Sequence, residues 1–151
     1  RADQDQVVSA MPIKPENRAL YPKDWPLIRE RILIRAANCC EHPDCGARQY
    51  DVGWWHKVMG RFTWHERIRG LRTWREASAA AAELFFASSE EGPNPIVIVL
   101  TIAHLNHDPT DCRVENLRAL CQRHHLAYDQ AHHRANAQAT RRAKAGTREM
   151  F

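Results

Sequence analysis

Apolar residues along this chain change their spacing several times, and each change marks the boundary of an element. Trp25, Ile28, Ile32 and Leu33 recur every three or four positions, the period of a helix buried along one side, while Arg29, Arg31 and Arg35 fall mostly elsewhere. With Asp24 available as a cap, the pattern predicts a helix from Asp24 to about Ala37 that carries a solvated arginine face. Residues 50 to 75 set Trp54, Trp55, Trp64 and Trp74 among Lys57, Arg61, Arg67, Arg69, Arg72 and Arg75. That mixture has two readings: a β-hairpin packing its tryptophans on the core, or a surface whose rings stack on bases while its arginines pair with phosphates. Alanine dominates from Trp74 to Ser89, which predicts a helix ended by Gly92, Pro93, Asn94 and Pro95. Ile96 to Ala103 is a continuous β-branched run and reads as one buried strand, with His104 emerging at its end. Asp108-Pro109-Thr110-Asp111 makes a turn, Cys112 to Val114 a short return strand, and Leu117 to about His133 a helix.

These elements sort the 151 residues into three parts. Residues 1–23, with Pro12, Pro15 and Pro22, form an arm of little regular structure; 24–133 form a single domain with an inserted segment at about 50–95; and 134–151 form a basic tail. One domain is what this length allows. The tail sets Arg141, Arg142, Lys144 and Arg148 against one acid, Glu149, and serves either as a phosphate-binding extension or as a solvated end. A composition of 44% hydrophobic and 26% charged residues is globular, yet the modest core of so small a chain gains from a metal staple. The net charge of +4 suits a polyanionic partner. Five cysteines are an odd number, and neither a signal peptide nor an apolar run of about 18 residues is present. The expected setting is therefore the reducing cytoplasm, with no membrane partner and with thiolates bound to metal rather than paired as disulfides.

Chemistry-bearing residues gather in two places. Cys39 to Cys45, with Pro43 inside and Gly46 just after, has the make-up of a metal-binding knuckle. Cys40 and Cys45 enclose four residues, within the range of structural zinc sites, which leaves Cys39 as the spare. Further on, the stretch from His104 to His125 holds His107, Asn116, Cys121 and His124 as well. On a helix, an advance of about 100° per residue puts Cys121, His124, His125, Asp129 and His132 on one half of the circumference. Cys121 and His124, three apart, can complete a tetrahedral zinc site with Cys40 and Cys45. His125 and Asp129, four apart, can share a second ion.

These segments, Pro22 to Cys45 and above all Leu100 to His133, resemble the HNH endonuclease family with its ββα-metal motif, in particular small bacterial and phage members with a zinc-knuckled core. The resemblance implies an α+β fold: a ββα-metal core stapled by structural zinc, with flanking helices and an inserted segment. It also implies that His104, at a strand end, is the general base and that Asn116 either steadies the loop or binds the ion. By the same resemblance His125, on the helix, binds a divalent cation, and Asp129 stands where some members have a further ligand. Ala103 occupies a position where many members carry an acidic ligand, and the interval from His104 to Asn116 is shorter than usual. His107 is thereby a rival base or a replacement ligand. His124 stands where cysteine is common, a change that keeps zinc chemistry because imidazole nitrogen is an accepted ligand.

The function implied is hydrolysis of DNA phosphodiester bonds, by nicking or double-strand cleavage, in a bacterial or phage-infected cell. A neutral imidazole takes a proton from water, while one divalent ion, Mg2+, Mn2+ or another transition metal, neutralises charge on the phosphoryl oxygen and the leaving 3′ oxygen. Arg61, Arg67, Arg69, Arg72, Arg141, Arg142 and Lys144 would bind the DNA. The alternative is a zinc-stapled DNA-binding module without catalysis, for which Ala103 is the argument.

Overall fold

A computed structural model describes residues 15–87 and 94–148, and among them helices and two small antiparallel sheets make an α+β arrangement. A 3-10 turn at Pro15–Leu20, in what was expected as an irregular arm, leads into α1 (Trp25–Arg35). Pro26 suits the first turn of α1, where its missing N–H has no helical partner to lose. Asp24 occupies the N-cap position but makes no side-chain capping bond, which corrects the role expected of it. Ile32 and Leu33 are buried as their spacing predicts. Arg35 departs from the solvated face: it donates to the carbonyls of Val114 and Leu117 and pairs with Glu41, tying α1 to two distant segments.

The tryptophan-rich segment is a hairpin of β1 (Val52–Val58) and β2 (Arg61–Ile68). Met59 and Gly60 join the strands with φ of 48° and 81°, the left-handed pair that matches strand twist in a two-residue turn. Gly53 is required where the strands approach, because a Cβ there would lie 2.0 Å from the His65 carbonyl oxygen. Trp64 is buried, and Trp55 packs on it with ring centroids 5.2 Å apart. Helix α2 (Trp74–Ala87) follows, while residues 88–93, with the expected end of that helix and part of its stop signal, lie outside the described residues. Strand β3 (Ile96–Val97) adds to the edge of β1, giving the order β2-β1-β3.

Ile96 to Ala103 is not one strand. Ile98 exchanges backbone bonds with Asp51 and Tyr50, and the side-chain oxygens of Gln122 and Gln49 accept the N–H groups of Val99 and Leu100. The chain thus leaves the first sheet, and β4 (Leu100–His104) pairs with a new partner, β5 (Leu117–Cys121). A 3-10 turn at Val114–Asn116 precedes β5, and the return strand expected at Cys112–Val114 is not formed. Leu117 to Cys121 therefore corrects the reading of that stretch as helix. Its residues favour helix, but β4 bonds one edge of the strand, and on the other the Glu41 N–H donates to the Ala119 carbonyl while the Glu41 carboxylate accepts from the Ala119 N–H. Helix α3 starts at Gln122 and continues to Arg148, so most of the expected tail is helix; at 1.5 Å per residue it is about 40 Å long.

The core lies between α1, β4 and β5, where Leu100, Ile102, Ala103, Leu117, Ala119 and Leu120 meet Ile32, Leu33, Ile98 and Trp64. Cys40, Cys45 and Cys121 belong to the same cluster, so a metal bound by their sulfurs would be anchored in the core. No helix among the described residues is long and apolar enough to cross a membrane.

Candidate functional site

Cys40, Cys45, Cys121 and His124 converge, with ligand atoms all within 4.8 Å of one another. Three elements bring them together. The knuckle turns back through left-handed residues at Asp44 and Gly46, and the Cys40 N–H donates to the Ala47 carbonyl. Cys121 ends β5, and His124 lies in the first turn of α3. Cys45 Sγ lies 3.9 Å from Cys121 Sγ, and His124 Nδ1 lies 3.6 Å from Cys40 Sγ and 3.3 Å from Cys121 Sγ. Around a tetrahedral ion with bonds of about 2.3 Å to sulfur and 2.0 to 2.1 Å to nitrogen, the edges are about 3.8 Å and 3.6 Å, so this donor set fits a metal ion such as zinc.

The electrostatics agree. Hydrogen bonds from Cys121 and Cys45 hold the Cys40 thiol far below its ordinary range, while bonding to Cys40 and Cys45 together with burial pushes Cys121 far up. The Cys121 bond pulls Cys45 down, but its bond to Cys40 and its burial outweigh this and push it up to about 11. Thiols this close interact strongly through the protons between them, and a bound cation would take the place of those protons. His42 stacks on His124 with centroids 3.7 Å apart and Trp55 meets its edge at 5.7 Å, fixing a ring whose pKa burial lowers. Cys39 points elsewhere, accepting from Arg48 Nε at 3.2 Å.

A second group lines a cleft of about 230 Å3 that includes His104, His107, His125, Asp129, His132 and His133. Asp129 is its centre: one carboxylate oxygen lies 3.2 Å from His125 Nε2 and the other 3.2 Å from His107 Nδ1. Thr101 Oγ1 lies against both the Leu120 carbonyl and His125 Nδ1, and the opposite ring nitrogen, Nε2, faces Asp129. His104 leaves β4 stacked on Trp25, with centroids 5.4 Å apart, and its Nε2 is 3.8 Å from Cys112 Sγ. Burial lowers the pKa of His104 and of His125, the latter against the opposing pull of Asp129, so both rings favour the neutral form.

Asn116 is not part of that cleft. Its amide closes the loop between β4 and β5, donating to Asn106 Oδ1 and the Asp111 carbonyl and accepting from the Asn106 N–H. Arg113 braces the same loop and holds the Asp111 carboxyl down to about 2.

No protein-family model, curated protein or solved structure matches this chain.

Several of them carried no signal in the sequence. Tyr128 donates to the Leu105 carbonyl and stacks on His107, seating the loop on α3, while Thr101 and Cys112 orient histidines from distant positions. Only His42, beside the knuckle, had a sequence cue. Of the arginines expected on DNA, Arg61, Arg67 and Arg72 are exposed, whereas Arg69 is already paired with Glu66 at 2.5 Å and lies 4.0 Å from Asp51. Arg141 and Arg142 are exposed on the distal half of α3, and the side chain of Lys144 lies outside the described residues.

Proposed function

We propose that this protein is an HNH-type endonuclease that hydrolyses DNA phosphodiester bonds, with structural zinc at Cys40, Cys45, Cys121 and His124. His104 is the general base, and His125, Asp129 and His107 hold a divalent cation. The observation that carries this reading is the Asp129 carboxylate facing His125 and His107 in the cleft that His104 lines. The succession of β4, β5 and α3, with the first histidine closing β4 and the last on α3, supports it further.

The pairing of His125 with Asp129 suits such an ion. A separation of 3.2 Å between His125 Nε2 and Asp129 Oδ2 is close to the edge between neighbouring ligands each about 2.1 Å from one metal. A bound cation supplies charge neutralisation on the phosphoryl oxygen and the leaving 3′ oxygen. Among the chain's own groups, His104 accepts the proton of the attacking water, and burial keeps its ring neutral for the task. The Trp25 stack fixes the plane of that ring. Thr101 steadies the His125 ring, and Tyr128 with Asn116 holds the loop that carries His107.

The test is cleavage of supercoiled plasmid by zinc-replete protein, with added Mg2+ or Mn2+ and without either. His104→Ala is expected to lose about 10²- to 10⁴-fold in rate, as for removal of a positioned base, while still binding duplex DNA. Cutting at the parental rate by His104→Ala, with His107→Ala inactive, would move the base to His107. Duplex binding without cutting under any ion would favour the non-catalytic DNA-binding module.

A further inference from the structure

A second cleft, sharing no residue with the histidine cleft, has a volume of about 490 Å3 and three arginines in its walls. They come from separate parts of the chain: Arg29 from α1, Arg48 from the segment after the knuckle, and Arg72 from the loop before α2. We propose that this cleft binds a phosphoryl group through Arg29, Arg48 and Arg72.

Two of the guanidinium groups are held in place by neutral partners. Arg29 Nη2 donates to the Leu100 carbonyl and Arg48 Nε to Cys39 Sγ, each at 3.2 Å. A guanidinium carries five N–H donors, so these anchors fix position while leaving donors and full charge for a ligand. Arg72 makes no side-chain hydrogen bond or ion pair among the described residues. The one acid in the walls, Asp51, is buried and already engaged: its carboxylate accepts from the Arg48 N–H and lies 4.0 Å from Arg69 Nε. Three pinned or free cations around one cleft repel one another, and an anion with several acceptor oxygens relieves that repulsion while using the fork geometry of arginine.

The place of the cleft relates it to the nuclease reading, on which its strand-bound form rests. Arg29 is anchored at Leu100, where β4 starts, and His104 is where β4 ends. Four strand steps of about 3.3 Å separate them by about 13 Å. A strand cut at His104 would run on past further phosphates, and the arginines lie close enough to meet one of them. A free phosphate or nucleotide has the same chemistry and is the other source.

Two measurements on the zinc-replete protein separate these. Arg72→Gln is the main variant because its side chain supports nothing internal, and Arg48→Gln is the second; circular dichroism and zinc content check that both remain folded. Duplex affinity is followed by anisotropy across a salt series, and thermal stability with inorganic phosphate against chloride at equal ionic strength. If the ligand is a strand phosphate, the log–log salt slope becomes shallower by about one for each variant. If it is a free anion, phosphate raises the melting temperature of the parent but not of the variants, and the slope is unchanged. Identical slopes together with identical phosphate responses in parent and variants would overturn the proposal. Metal-dependent cleavage by the parent is read separately, so the nuclease reading and the phosphoryl site can fail independently.

Discussion

Replacing Cys121 by serine is expected to unfold this protein, whereas replacing Cys39 should weaken it only slightly. Cys121 is fully buried, with its sulfur 3.9 Å from Cys45 Sγ and 3.3 Å from His124 Nδ1. Structural zinc in sites of this kind contributes about 10 to 16 kcal/mol of apparent binding energy near neutral pH, and that energy is folding energy. The whole stability of a domain is only about 5 to 15 kcal/mol. Serine keeps the size of the side chain but not the thiolate, so the loss is comparable with everything that holds the chain folded. The outcome is loss of cooperative unfolding rather than a displaced midpoint. Cys39 has one bond from Arg48 at 3.2 Å and one to the Ala37 carbonyl at 3.4 Å. Exchanging such bonds for those of a hydroxyl costs about 1 kcal/mol, a fall of about 3 °C in melting temperature. The assay pairs elemental analysis with urea unfolding followed by far-UV circular dichroism for the parent, both variants and the chelated parent. About one zinc per chain is expected in the parent and in Cys39→Ser. A Cys121→Ser protein that unfolds cooperatively at the parental midpoint, or a folded parent without metal, would refute the reasoning.

Asp129→Asn should leave folding intact and abolish metal-dependent cleavage, because the amide keeps the shape but removes the charge facing His107 and His125; parental cutting by this variant would remove Asp129 from the ion site. His104, whose pKa burial lowers from the ordinary 6.5, stays neutral to more acid pH than a free histidine, so the acid limb of the rate profile should lie below that value. The same depression means that the unfolded chain binds more protons in that window: stability is fully present above about 6.5 and falls as pH drops toward the lowered value, a fall that His104→Gln should reduce in urea titrations. Ile98→Ala should cost about 2 to 5 kcal/mol, since Ile98 is wholly buried where the chain passes between sheets; a urea midpoint unchanged from the parent would contradict that packing.

Elements whose own periodicity or composition decides them were legible from the residues alone. The α1 stripe buries Ile32 and Leu33, the alanine-rich stretch forms α2, and the spacing of Cys40 and Cys45 picks out two partners for Cys121 and His124. These features depend on residues within a few positions of one another, and the number of residues between two cysteines constrains their reach whatever the rest of the fold does. Distant partners settled the remainder. Leu117 to Cys121 has helix-forming residues, yet it is a strand because β4 and Glu41, 78 positions before Ala119, satisfy its backbone from both sides. Ile96 to Ala103 is uniformly apolar, and nothing in such a run tells where it must change sheets; Asp51, Tyr50, Gln49 and Gln122 make that break. The stacking of His42 on His124, the Thr101 bond to His125 and the meeting of Arg29, Arg48 and Arg72 are likewise products of tertiary packing. Hydrophobic period reports that a face will be buried, but the identity of what covers it, and which polar groups are carried along, is decided only when segments far apart in the chain compete for the same hydrogen bonds and the same core.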